Sequence, residues 1–126
     1  MQGRGNRPLA ISDTEPDDRI PTVTGETFVP LVLNGQGPIV VEFMSYACAH
    51  CAEIEPVLQQ VAETVKSWEK IFRVNTGMER GLAEQYQISG TPTLIMFLNG
   101  TEVGRVEGPA PIASSIVTEI TTPFES

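Results

Sequence analysis

The sequence is poor in the residues that build staples and metal cages. Its 126 residues include two cysteines and one histidine, too few for a disulfide-rich scaffold or for the four ligands of a structural zinc site. Basic side chains are scarce as well. Eight lysines and arginines stand against sixteen acidic residues, a formal charge of −8. Such a surface repels phosphate backbones and anionic headgroups, and no Lys/Arg cluster offsets it, so neither nucleic acid nor membrane is expected as a partner. Long apolar runs are missing too: Leu94-Ile95-Met96-Phe97-Leu98 is far short of the roughly 18–20 residues that span a bilayer. Arg4 and Arg7 near the start are followed by no apolar stretch, so no secretory leader is recognisable. The expected compartment is the cytoplasm, or the periplasm if a leader has been removed.

What is present reads as one soluble domain. Hydrophobic residues make up 40% and charged residues 19%, enough to bury a core at this length. Residues 1–19 are rich in Gly, Pro, Asp and Arg and read as a flexible extension; residues 20–126 form the domain. Ile20 to Val23 suggests a short edge strand. Thr24 can cap a helix from Glu26 to Leu33, with Phe28, Leu31 and Val32 as its apolar face. Ile39 to Met44 is almost continuously apolar and β-branched, the mark of a strand buried on both faces, with Glu42 as its anomaly. Ile54, Val57, Leu58, Val61, Ala62 and Val65 share one helical face, and Pro56 should kink that helix. Lys70–Asn75 is the next strand, Met78–Tyr86 a short helix and Thr93–Asn99 a strand. Asn99-Gly100 is a hairpin turn into a strand from Glu102 to Glu107. Ile112, Ile116 and Ile120 recur at i+4 on a closing helix. Trp68 reads as packing or surface, and Asn75-Thr76-Gly77 as a turn. The order β-α-β-α-β-α-β-β-α gives an α/β fold, a mixed central sheet with helices on both faces.

The scarce residues are gathered in one place: Cys48-Ala49-His50-Cys51 follows the buried strand and opens the long helix. A thiol at a helix start lies beside unpaired N–H groups and the positive end of the dipole, both of which favour the thiolate. The thiolate is the species that attacks a disulfide. Cys51, one turn on, is placed to resolve the mixed disulfide. Ala49 and His50 tune the pair: a protonated His50 favours the Cys48 thiolate, while Glu53 and Glu55 oppose it, and the balance needs geometry. A four-residue cystine staple would add little rigidity, so the redox reading is the stronger.

This ordered set of residues resembles the thioredoxin family, over Ile20 to Thr122. Phe43 to Cys51 looks like that family's strand and active-site turn, Pro56 its helix proline, Gly90-Thr91-Pro92-Thr93 its cis-proline loop, and Asn99-Gly100 and Gly108 its later turns. Phe28 falls on the aromatic of the first helix. The resemblance implies a thioredoxin fold and assigns roles. Glu42 would be the buried acid that takes the resolving cysteine's proton, and Arg73 its basic partner. Pro92 would pack on the cysteine pair. Thr91, Pro92 and Tyr46 would form the substrate-binding face, Thr91 through its backbone. Two departures bear on direction. The tryptophan before the first cysteine is absent, and His50 resembles the oxidising DsbA type, as does Glu42 in place of Asp. Thr91 resembles the DsbC type. The helical insertion of DsbA-like proteins is lacking.

The resulting expectation is a thiol–disulfide oxidoreductase, read as a thioredoxin-like protein disulfide reductase. The rivals are a periplasmic oxidase or isomerase and a non-catalytic binding or chaperone module. Cys48 attacks, Cys51 resolves and Glu42 relays a proton. No cofactor or metal is expected beyond the redox-active Cys48–Cys51 disulfide. Partners are protein disulfides and dithiols and a recycling redox partner, either a reductase or a membrane electron donor or acceptor; the chain is expected to be a monomer.

Overall fold

Alternation along each strand decides which layer its side chains serve. The computed structural model describes residues 18–125; the rest of the expected extension, residues 1–17, lies outside them. Four strands, β1 (Pro38–Met44), β2 (Lys70–Asn75), β3 (Thr93–Leu98) and β4 (Thr101–Glu107), form one sheet in the order β2-β1-β3-β4. β1 runs parallel to β2 and antiparallel to β3, and β3 pairs antiparallel with β4. Ile20 to Val23 extends the sheet past β2 by a single bridge, Thr22 to Arg73. There the Val23 N–H donates to Arg73 O at 2.8 Å, and Arg73 N–H donates to Pro21 O at 2.9 Å. Pro21 supplies only its carbonyl, which is all a proline can give to a ladder.

Each face of the sheet carries its own core. On one side, Val40, Ile71, Leu94 and Met96 pack beneath α1 (Ala49–Val65) and α3 (Ala113–Thr121), which contribute Ile54, Leu58, Val61, Val65, Ile116 and Ile120. On the other side, Ile39, Val41, Phe43, Val74, Ile95 and Phe97 pack against Phe28, Val32 and the side chains of and after α2 (Arg80–Gln85). Phe28, Tyr86 and Phe97 meet pairwise there, at ring-centroid distances of 5.4, 5.9 and 5.6 Å. Helices therefore cover both faces, as the pattern requires. The same alternation turns Glu42 and its register partner Arg73 toward the α1 face, in line with Val40 and Ile71.

Several local expectations change. The first helix is a single wide turn, Val29–Leu33, in which Asn34 N–H reaches Val29 O at 2.8 Å. Thr24 does not cap it: its Oγ1 accepts Glu26 N–H at 3.2 Å in the turn ahead, and the N-cap is Phe28, with no side-chain hydrogen bond. Leu31 lies 45% exposed, because the wider turn no longer keeps the 3.6 spacing with Phe28. Ile112 precedes α3 in extended conformation and is exposed, leaving Ile116 and Ile120 as the buried pair. α2 is shorter than the expected Met78–Tyr86, since Asn75 holds the preceding turn by accepting Gly77 N–H on Oδ1 and Met78 and Glu79 N–H on its carbonyl. Trp68 is half exposed and donates Nε1–H to the buried Glu69 at 3.1 Å, which also accepts from Thr121 on α3 at 2.9 Å. At the β3–β4 hairpin, Gly100 has φ +87 and a side chain there would collide with Leu33 O at 2.3 Å.

The contrast between two residues first assigned to one face is measurable. Phe28→Ala should lower the free energy of chemical unfolding by about 3–5 kcal/mol, as expected for an aromatic removed from a sealed core. Leu31→Ala should change it by less than about 0.5 kcal/mol. Similar losses at the two positions would contradict the wide turn.

Candidate active site

The end of β1 delivers the chain to the start of α1 through Ser45, Tyr46 and Ala47. Cys48 takes an extended conformation as N-cap, and its Sγ accepts Cys51 N–H at 3.1 Å. Sulfur thus fills the role that Ser, Thr or Asp usually plays at a helix start. On its other side the Cys48 thiol donates to Thr91 O at 3.4 Å. Both cysteines are free thiols, Cys48 partly exposed and Cys51 buried.

The two thiols differ in chemistry. Burial works to raise Cys48, but hydrogen bonds from Cys51, the Thr91 side chain and the backbone at Cys51 and His50 outweigh it, so this thiol ionises below the ordinary value of 9.0. Burial, and the hydrogen bond given to Cys48, push Cys51 up to about 11. Of the two, Cys48 is the thiol that gives up its proton more readily, and the thiolate is the nucleophilic form.

Glu42 is fully buried. Burial lifts its carboxyl from 4.5 to about 7; the Arg73 charge pulls it down, and those of Glu55 and Cys48 push it up. Arg73 Nε lies 3.8 Å from Glu42 Oε1, too far for a hydrogen bond. Instead its Nη2 donates to Glu55 Oε2 at 2.5 Å and its Nη1 lies 3.5 Å from Asp18 Oδ2. Gln59 braces both acids, donating to Glu55 at 2.8 Å and to Asp18 at 2.9 Å.

The remaining predicted residues take separate places. The Thr91–Pro92 bond is cis, Pro92 is buried, and its carbonyl accepts Gly108 N–H at 2.8 Å. Tyr46 is 72% exposed. Ala49 is the exposed first residue of α1. His50 turns its Nε2 to Pro109 O, 3.0 Å away, so its backbone rather than its ring is what reaches Cys48. A cavity of about 530 Å³ opens on the α1 side of the cysteines, lined among others by Asp18, Tyr46, Cys48, Cys51, Glu55 and Arg73. In the sequence Glu55 stands out only as a charge opposing the Cys48 thiolate; its i+4 offset from Cys51 is the signal that it shares the cysteine's side of the helix. Asp18 and Arg19 were assigned to the extension, yet Asp18 pairs with Arg73 and Arg19 with Glu63.

Known proteins are similar to this chain in sequence and fold. The family model described as Thioredoxin matches residues 19–122. Thioredoxin 1 of Nostoc sp. is 35% identical over 89 residues, 71% of this chain and 83% of that protein. The chloroplastic thioredoxin Y2 of Arabidopsis thaliana is 34% identical over 97 residues, 77% of this chain and 58% of that one. A probable protein disulfide-isomerase A6 of Medicago sativa is 38% identical over 88 residues. These cover 68% of this chain but 24% of that protein, so the chain spans about a quarter of its length. A mutant thioredoxin from Halobacterium salinarum has the same fold, with a TM-score of 0.74 over 90% of this chain and 97% of that one at 24% identity.

Two outcomes test the site's electrostatics. At about pH 7 iodoacetamide should modify Cys48 while leaving Cys51 unmodified, and Cys48→Ser should leave the chain nearly inert; equal labelling of both by mass spectrometry would refute the asymmetry. The second concerns stability. Glu42 binds its proton more tightly folded, at about 7, than at its ordinary 4.5. Its contribution is complete below 4.5 and is lost as pH rises through 7, about 3 kcal/mol in all. Glu42→Gln should therefore gain on the wild type in urea unfolding as pH rises from about 5 to about 8. A difference that stays constant with pH would count against ionisation of this carboxyl in place.

Proposed function

This chain belongs to the thioredoxin family of thiol–disulfide oxidoreductases, and we propose that its dithiol reduces exposed disulfides of other proteins. The feature that carries the reading is the unequal pair: a partly exposed Cys48 that ionises more readily than an ordinary thiol, beside a buried Cys51 that ionises less readily.

The reaction runs in two exchanges. The Cys48 thiolate attacks one substrate sulfur, the substrate S–S bond breaks, and the departing sulfur leaves as a thiolate that takes a proton from solvent. Cys51 then gives up its proton and attacks Cys48 Sγ in the mixed disulfide. The second substrate sulfur leaves with its electron pair, and the Cys48–Cys51 disulfide remains. Two electrons have passed to the substrate with no other carrier. Glu42 serves as the base for Cys51: a carboxyl at about 7 is matched to proton transfer near neutral pH. Thr91, Pro92 and Tyr46 form the docking face, where an extended peptide pairs with the Thr91 backbone as an added strand. The protein works as a monomer in a reducing cytoplasm, and a reductase returns it to the dithiol. The likeness to the Nostoc thioredoxin, over most of both chains, supports this direction.

His50 between the cysteines is the feature that favours a second reading, an oxidase or isomerase. Equilibration with glutathione buffers separates them. The proposed reductant should titrate near the thioredoxin value of about −270 mV, and a potential near about −120 mV would transfer the chain to the oxidising class. In the same preparation, insulin reduction by dithiothreitol should accelerate. Reversible formation of the Cys48–Cys51 disulfide without that acceleration would leave a binding module instead.

A further inference from the structure

Arg73 faces Glu42 without bonding to it. An arginine fork beside a buried carboxylate ordinarily grips it through two parallel hydrogen bonds. Here Nε stands 3.8 Å from Glu42 Oε1, and both Glu42 oxygens and Arg73 Nε lack a hydrogen-bond partner among the described residues. The fork is turned outward, with Nη2 on Glu55 at 2.5 Å and Nη1 toward Asp18 at 3.5 Å. Glu55 is itself held in place by Gln59 one turn along α1.

We propose that Glu55 is a positioning residue for the proton relay: by holding the Arg73 fork, it denies Glu42 the hydrogen bonds that would fix it as a weakly basic carboxylate. The inference rests on the relay reading of Glu42. Three carboxylates share one guanidinium, and Glu42 is the only one of them sealed from water; Glu55 and Asp18 are each about a third exposed. Burial therefore bears most heavily on Glu42 and lifts its carboxyl. The charged and titratable groups that act on Glu42 are Arg73 from β2, Glu55 from α1 and Cys48 from the preceding turn. From β3 its register partner is the apolar Leu94, and α3 contributes Ile116 and Ile120 to this layer. Arg73 is the one cation among them, and Glu55 makes its shortest contact.

The test follows the Glu42 carboxyl directly, by 13C NMR titration of the full chain. Glu55→Gln removes the charge and keeps an oxygen for Arg73, while Glu55→Ala also frees the fork to swing onto Glu42. The Glu42 midpoint should fall in both variants, by roughly one pH unit in Glu55→Ala and by less in Glu55→Gln. Glu53→Gln, an exposed charge two residues away on the same helix, should move it little. Unchanged midpoints in folded Glu55 variants, or an equal fall in Glu53→Gln, overturn the proposal. Should Glu55→Ala fail to fold, the isosteric Glu55→Gln decides alone. Insulin reduction supplies the separate arm. The pH profile of the Glu55 variants should shift to lower pH with the midpoint, and that of Glu42→Gln should lose the inflection. A profile untouched in Glu42→Gln refutes the relay, whereas the NMR midpoints still decide whether Glu55 governs Glu42.

Discussion

One guanidinium balances the charge of an otherwise apolar layer. Arg73 enters the sheet at the register position of Glu42 and extends under α1 toward Glu55 and Asp18. Burial raises the cost of every charge it touches, so the protonation of Glu42, the seating of α1 over the sheet and the anchoring of the chain ahead of the first bridge are linked through it. Breaking any of its contacts redistributes charge among the rest. A replacement by lysine would keep the charge but lose the flat fork that reaches three carboxylates from one stem.

The cysteine pair shows a second economy. Cys48 caps α1, so the sulfur proposed as nucleophile is also the group that satisfies an N–H at the helix start. Those N–H donors favour negative charge on sulfur. Cys51, one turn along the helix, lies against the core and inherits the opposite fate. The difference in reactivity thus arises from a single helical turn that carries one thiol out and the other in.

The fold was legible wherever periodicity met burial. β1 and β3 read correctly because alternating faces of an almost wholly apolar strand need two cores, and α1 because six apolar positions share one face. Leu31 and Ile112 misled because hydrophobicity alone does not report exposure: one sits on a turn wider than an α-helix, the other before its helix begins. At the site, Glu42 was conspicuous as a charge in an apolar strand, and its burial follows the alternation that also buries Val40. Glu55 was far less visible. Nothing in its helical neighbourhood says that an arginine from β2 lies opposite, since that contact spans 18 residues and depends on the parallel β1–β2 register. His50 was recognisable as a member of the motif, but its direction toward Pro109 depends on a loop 59 residues away.

The contact between the Cys48 thiol and the Thr91 carbonyl has a consequence for timing. While sulfur carries its hydrogen, that carbonyl is occupied from within the chain. When the hydrogen leaves, the oxygen loses its donor at the moment the sulfur becomes nucleophilic. A visiting backbone N–H can then take the vacated acceptor. Ionisation of the sulfur thus frees one lone pair of a carbonyl that already borders it.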